Sequence, residues 1–165
     1  MKTDWEPIAE CLRNEVAEYG LLLSLFAEQQ NLIFQRDPEA VLRLGHSIQQ
    51  QVDVLDQARA DRESCVRSYA TDRGLAPNAT LRSLLPKVAP EARPLFEALI
   101  TEVNLLIHRV RRASRLNHRL LSSMVDCHQE LLRRLRPDAF TITYAPNGRI
   151  SSRVFGRTQT VPSAG

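Results

Sequence analysis

The sequence contains few of the residues that interrupt helices or pack large sheets. Only 6 of its 165 residues are glycine, and aromatic residues make up 5% of the chain. Glutamine, glutamate, arginine and leucine are plentiful instead, and this composition favours helices over sheets. The length corresponds to one domain that can bury a sizeable core.

The sequence also lacks the motifs of common catalytic and metal sites. It has no GxSxG, P-loop or GxGxxG sequence, and its four histidines do not show the spacing of metal ligands. Cys11, Cys65 and Cys127 lie far apart and form no CxxC, which favours thiols in a reduced compartment. We therefore expect no enzyme, no cofactor and no metal.

No apolar run approaches the length that crosses a membrane, and Leu21–Leu23 is typical of those present. Asp4, Glu6 and Glu10 interrupt any secretory signal at the N-terminus. We expect a cytoplasmic protein with no stable membrane insertion.

The positive charge is concentrated in the second half of the chain. Residues 1–89 carry 10 basic and 13 acidic side chains, net −3, whereas residues 90–165 carry 12 and 6, net +6. Part of this charge forms a basic cluster of Arg109, Arg111, Arg112, Arg115 and Arg119. A solvated helix face is the favoured interpretation, and a surface for an acidic partner or nucleic acid is the alternative. No aromatic residues are interleaved, so we expect no nucleic-acid partner.

Apolar residues recur at intervals of three and four along most of the chain, which indicates amphipathic helices. The first helix is predicted to bury Trp5, Ile8, Leu12, Val16, Tyr19, Leu23, Phe26, Gln30 and Ile33. Asp37 and Pro38 mark the start of a second helix and Gly74 its end. The middle of that second helix is polar, through Arg59, Asp61, Arg62 and Glu63.

The predicted fold is all-α. It is an elongated antiparallel three-helix bundle or coiled coil over residues 1–137, followed by a flexible tail over residues 138–165. The long helices are predicted over about residues 3–35, 38–73 and 90–136, with a short connector helix over about 79–85.

The third long helix has the most regular apolar face. Its heptad spacing runs through Phe96, Leu99, Val103, Leu106, Val110, Ala113, Asn117, Leu120, Met124, Cys127, Leu131 and Leu135. Leu121 and Leu132 widen this face beyond what one partner helix needs. Asn117 either fixes the register of packed helices or lies at a hydrated end of the bundle, and the sequence leaves both open.

The pattern changes at Pro137, which ends the helix. Alternation over residues 140–144 indicates a strand, and Pro146-Asn147-Gly148 is typical of a turn, so the tail is compatible with a short hairpin. Tyr144 suits recognition by a partner, because tyrosine buries a large area at low entropic cost. Folding back onto the end of the bundle is the equal alternative.

These residues resemble the FlgN family of flagellar export chaperones. In that family the last long helix carries an Asn, a Leu pair and a Gln-x-x-Leu step, ends near a proline, and precedes a Tyr-x-x-x-Gly element. The counterparts here are Asn117, Leu120, Leu121, Gln129, Leu132, Leu135, Pro137, Tyr144 and Gly148. The long first helix, the antiparallel second helix and the TLRSLL connector at residues 80–85 also agree in layout.

The resemblance implies a cytoplasmic chaperone that binds the C-terminal helices of hook–filament junction proteins. It would prevent their premature assembly and deliver them to the export gate and the export ATPase complex. The expected client-binding residues are Asn117, Leu120, Leu121, Met124, Leu131, Leu132 and Leu135. The expected export-gate contact is Tyr144.

Two other hypotheses remain open. A self-associating coiled-coil adaptor would bury the wide apolar face in a homodimer, and a client-free chaperone can dimerise in the same way. A basic helical nucleic-acid-binding protein would use the arginines of residues 109–119.

Overall fold

The computed structural model describes residues 5–76, 79–135, 140–144 and 150–154, and for the last two ranges it describes the backbone. The chain divides into two compact units, Met1–Leu120 and Leu121–Gly165. None of the described helices is long and apolar enough to cross a membrane.

Helix α1 spans Glu6–Gln35 and buries one stripe in which intervals of four and three alternate. Val16, Leu23 and Gln30, which the sequence placed in the interior, are only half-buried. The residue before each of them takes the interior position instead. The buried set is Ile8, Ala9, Leu12, Glu15, Tyr19, Leu22, Phe26, Gln29 and Ile33.

A tight turn joins α1 to helix α2, which spans Pro38–Asp72. Arg36 adopts a left-handed conformation with φ 59°, and the Asp37 side chain then caps α2 by accepting a hydrogen bond from the Ala40 amide at 2.9 Å. Gly74 takes a positive φ of 64° just after α2 ends, a conformation that glycine adopts without steric strain. Both ends of α2 therefore follow from the residues that the sequence singled out.

Helices α1 and α2 run in opposite directions in the first unit. The order of their contacts shows this, because Cys11 lies against Cys65, Glu15 against Arg62 and Glu18 against Gln51. In the polar middle of α2, Arg62 pairs with a carboxylate of α1.

The connector folds onto the same core. Helix α3 spans Leu81–Leu84 with Thr80 as its N-cap, and a 3-10 turn covers Leu85–Lys87. Leu84, Val88 and Ala92 are buried in the core cluster that also holds residues of α1 and α2. The connector therefore closes one end of the first unit.

Helix α4 spans Arg93–Leu135 without interruption. Its first part packs alongside α1 in the same direction, because Phe96 meets Trp5 edge-on at 6.0 Å between ring centroids and Asn117 meets Phe26. Phe96, Val103 and Leu106 belong to the core of the first unit.

After α4, strand β1 spans Phe140–Tyr144 and strand β2 spans Ile150–Val154. They pair antiparallel, with Phe140 opposite Val154 and Tyr144 opposite Ile150. The expected flexibility of residues 138–165 stays a prediction, and residues 138–139, 145–149 and 155–165 of that tail lie outside those described.

The predominance of helix agrees with the predicted all-α class, with the β1–β2 ladder as the exception among the described residues. The elongated three-helix bundle stays a prediction.

Candidate functional site

The last part of α4 carries an apolar face with little cover. None of its residues from Leu121 to Leu135 is buried, although this part continues the heptad spacing of residues 96–117. Leu131 and Leu132 each keep 51% of their surface exposed, and Leu135 keeps 77%. Large apolar residues that recur on one side of a helix and stay exposed make this segment a candidate binding surface.

The opposite side of this segment is polar and supports the helix locally. Glu130 accepts a hydrogen bond from Arg134 at 3.0 Å and lies 4.0 Å from Arg133. Such pairs at three and four residues' spacing stabilise an exposed helix by about 0.2–0.5 kcal/mol each. The segment is therefore amphipathic, with charged residues on one side and leucines on the other.

Six of the seven predicted client-binding residues are half-buried or exposed in the structure. Leu121 and Met124 are half-buried, and Leu131, Leu132 and Leu135 are exposed. We call these five residues the client face. Leu120, the last residue of the first unit, is half-buried and directly precedes them.

Asn117 belongs to a different environment, because only 2% of its surface is exposed. Its amide nitrogen donates to the Phe26 carbonyl at 2.9 Å and to Gln29 Oε1 at 2.8 Å, and its Oδ1 accepts from Gln30 Nε2 at 2.8 Å. This network ties α4 to α1, so the side chain is not available to a client. Of the two open interpretations, the buried register contact is the one that these bonds favour.

Val125 belongs beside the client face although the sequence analysis left it out. Its side chain is 52% exposed, and it lies four residues after Leu121 and seven before Leu132. The same spacing that identified the leucines identifies Val125 as well.

Tyr144, the predicted export-gate contact, lies on a different element from the client face. It is the last residue of β1, and its backbone pairs with Ile150 of β2. The two predicted binding regions are thus on separate elements of the chain.

The basic cluster of α4 is on the surface. Arg109, Arg111, Arg112, Arg115 and Arg119 are all exposed. This agrees with a solvated helix face, which is the simpler of the two interpretations.

An ion pair inside the first unit was missed by sequence reasoning. Glu15 is fully buried on α1, and its Oε2 lies 2.8 Å from Arg62 Nε on α2. Burial raises the pKa of Glu15, and Arg62 and Arg59 oppose that rise. Burial likewise raises the pKa of the neighbouring Tyr19, with the Glu15 carboxylate adding to it.

One signal could have identified Glu15. It lies three residues after Leu12 and four before Tyr19, so it falls on the apolar stripe despite its charge. A carboxylate at such a position requires a basic partner on the facing helix.

The described residues show no arrangement for metal binding. Among residues 5–76 and 79–135, no three His, Cys, Asp or Glu side chains lie close enough to hold an ion. What the site offers chemically is an apolar surface for another helix.

Comparison with known proteins identifies a family. A family model described as FlgN protein matches residues 1–152 of the 165. Neither the curated proteins nor the solved structures contain a match to the chain.

Proposed function

Since this chain belongs to the FlgN family of flagellar export chaperones, we propose that it binds the C-terminal helices of hook–filament junction proteins. It holds these clients in the cytoplasm, prevents their premature assembly and delivers them to the export gate. The activity is stoichiometric binding without a chemical step.

One observation carries the proposal. Apolar residues keep the same spacing along α4 from Asn117 to Leu135, but no residue of this helix after Asn117 is buried. Leu131, Leu132 and Leu135 are more than half exposed, so this segment has apolar surface that the described residues do not cover. An amphipathic helix from a client can supply the missing cover by laying its own apolar side on the client face.

The composition of the client face suits such a partner. Leucines give a broad surface whose burial contributes about 25 cal/mol per Å², and Met124 can adapt its unbranched side chain to different client sequences.

Delivery requires a second contact, which we assign to Tyr144. It lies beyond the end of α4, on the β1 strand, so the export gate or the export ATPase complex can engage it while a client occupies the client face. A contact of this kind needs an aromatic side chain that buries a large area with few rotatable bonds.

Leu132→Asp tests the client face. A carboxylate at its centre would be buried without a partner in the complex, and we expect client binding to weaken at least about 30-fold, the size of a 2 kcal/mol hot spot. Isothermal titration with a C-terminal segment of a junction protein measures this. Ser123→Asp, on the polar side of the same helix, is the matched control and should bind as the wild type does.

Circular dichroism should show the same helicity for both variants, because both positions are exposed in the free protein. Wild-type affinity in the Leu132→Asp variant would overturn the assignment. If the wild type binds no client and is dimeric by light scattering, and Leu132→Asp is monomeric, the self-associating adaptor is the correct function instead.

Tyr144→Ala tests the second contact. We expect unchanged client affinity in titration and reduced client secretion in cells, since the change removes only the delivery step. An equal loss of client affinity would place Tyr144 in the client site rather than at the export gate.

A further inference from the structure

Two cysteines that are far apart in the sequence meet between α1 and α2. Cys11 Sγ lies 3.2 Å from Cys65 Sγ, across 54 positions of the chain. Both are free thiols and both are half-buried, so neither is sealed from solvent. Cys127, the third cysteine, is exposed on α4.

The surrounding contacts hold the two sulfur atoms near each other. One helical turn along α1, the buried Glu15–Arg62 ion pair spans the same two helices at 2.8 Å. A disulfide bond is about 2.05 Å long, so the sulfurs need to approach by only about 1.2 Å. Rotation of the two cysteine side chains can supply much of this movement without separating the helices.

We propose that Cys11 and Cys65 form a reversible intramolecular disulfide that ties α1 to α2, with a small-molecule disulfide such as oxidised glutathione as the oxidant. In a reducing environment the pair remains as two thiols. This inference concerns the first unit and does not depend on the client face or on the proposed chaperone function.

The reaction balances as two successive exchanges. The Cys65 thiolate attacks oxidised glutathione, forms a mixed disulfide and releases one glutathione thiolate. The Cys11 thiolate then attacks the Cys65 sulfur, which breaks the mixed disulfide and releases the second glutathione thiolate. The two protein thiols lose two protons and two electrons in total, and both are recovered in two molecules of reduced glutathione.

The surroundings of Cys11 favour the protonated form of its thiol. Burial raises the pKa of the Cys11 thiol to about 12, helped by its hydrogen bond to Cys65 and by the charges of Cys65, Asp61 and Glu10. The Cys65 sulfur itself carries no charge once it is joined to glutathione in the mixed disulfide, so the influence of a Cys65 thiolate on Cys11 is lost before the second exchange.

The disulfide would close a long loop that contains the α1–α2 turn. Such a cross-link restricts the unfolded chain much more than the folded one, in which the two sulfurs already lie together. We expect the midpoint of thermal unfolding to rise by roughly 5–10 °C on oxidation and to return when a reductant is added.

The test uses full-length protein carrying Cys127→Ser, which removes disulfides between molecules through the exposed cysteine. The protein is equilibrated in glutathione buffers of increasing oxidised fraction, and free thiols are counted with a maleimide–polyethylene glycol reagent. We expect both thiols to disappear together, with a monomeric product whose mass is lower by two hydrogen atoms.

Cys11→Ser and Cys65→Ser, each in the Cys127→Ser background, are the matched controls. Each retains one thiol, so each should take up one glutathionyl group and show no comparable rise in the unfolding midpoint. The proposal is overturned if the two-cysteine protein keeps both thiols in the most oxidising buffer. It is also overturned if that protein carries two glutathionyl groups or forms covalent dimers.

Discussion

The two parts of α4 share one sequence pattern and differ in burial. From Phe96 to Asn117 the heptad positions are buried or half-buried among residues of the first unit, whereas none from Leu121 to Leu135 is buried. The same spacing of apolar residues thus serves an internal contact in one part and leaves an open surface in the other. An apolar face predicts that something covers a helix, but not whether the cover comes from the same chain.

The largest expected effect is a difference in stability between variants in the two parts of α4. Phe96→Ala should lower the free energy of unfolding by about 3–5 kcal/mol, because Phe96 is fully buried against Trp5 and its removal leaves a cavity. Leu132→Ala, at a position that is 51% exposed, should change it by less than about 1 kcal/mol. Urea unfolding followed by circular dichroism measures both. Equal losses would mean that the client face is already covered in the free protein.

A smaller effect is expected at the last buried position of α4. Asn117→Ala should lower the free energy of unfolding by about 2 kcal/mol, since Gln29 and Gln30 lose a buried hydrogen-bond partner. Asn104→Ala, an exposed asparagine on the same helix, is the matched control and should be nearly neutral. Equal changes in the free energy of unfolding for both variants would mean that Asn117 does not mark the boundary between the covered and open parts of α4.

The smallest expected effect concerns pH and the interior of the first unit. The folded-state pKa of Glu15 is raised by burial, so its contribution to stability is full below its unfolded pKa of about 4.5. This contribution is lost as the pH rises through the raised value. The Glu15→Gln variant has no titrating group at this position, so its stability does not change with pH for this reason. The stability of the variant relative to the wild type should therefore increase as the pH rises through the pKa of Glu15.

Unfolding curves at several pH values measure the difference. A relative stability of Glu15→Gln that falls as the pH rises would show that attraction to Arg62 outweighs burial. Leu132→Gln provides the comparison on the open side, where the wild-type residue does not titrate and no such trend is expected.

The ends of α2 could be predicted from the sequence because the signals are local. Asp37 and Pro38 start α2 and Gly74 follows its end, and each acts through the backbone next to it. The heptad pattern of α4 likewise gave the residues of its apolar face, including those that stay exposed.

The contacts between helices could not be predicted in the same way. Hydrophobicity alone favours Val16 over Glu15 for the interior of α1, and only the presence of Arg62 on α2 makes the glutamate tolerable there. The meeting of Cys11 and Cys65 depends on the rotation of both helices, which no local signal reports. The exposure of the last part of α4 is a third case, because it depends on which surfaces the rest of the chain covers.

The turn between α1 and α2 also has a consequence for the order of folding. Arg36 and Asp37 alone separate the two helices, so their pairing can begin next to the turn and form early. The Asn117 bonds to Phe26 and Gln30 span 91 and 87 positions, and we expect them to form later because they close longer loops. On the ribosome, α1 and α2 can pair while α4 is still being synthesised, and α4 then docks on a hairpin that already exists. The segment that carries the client face thus emerges after the part of the protein that anchors its helix.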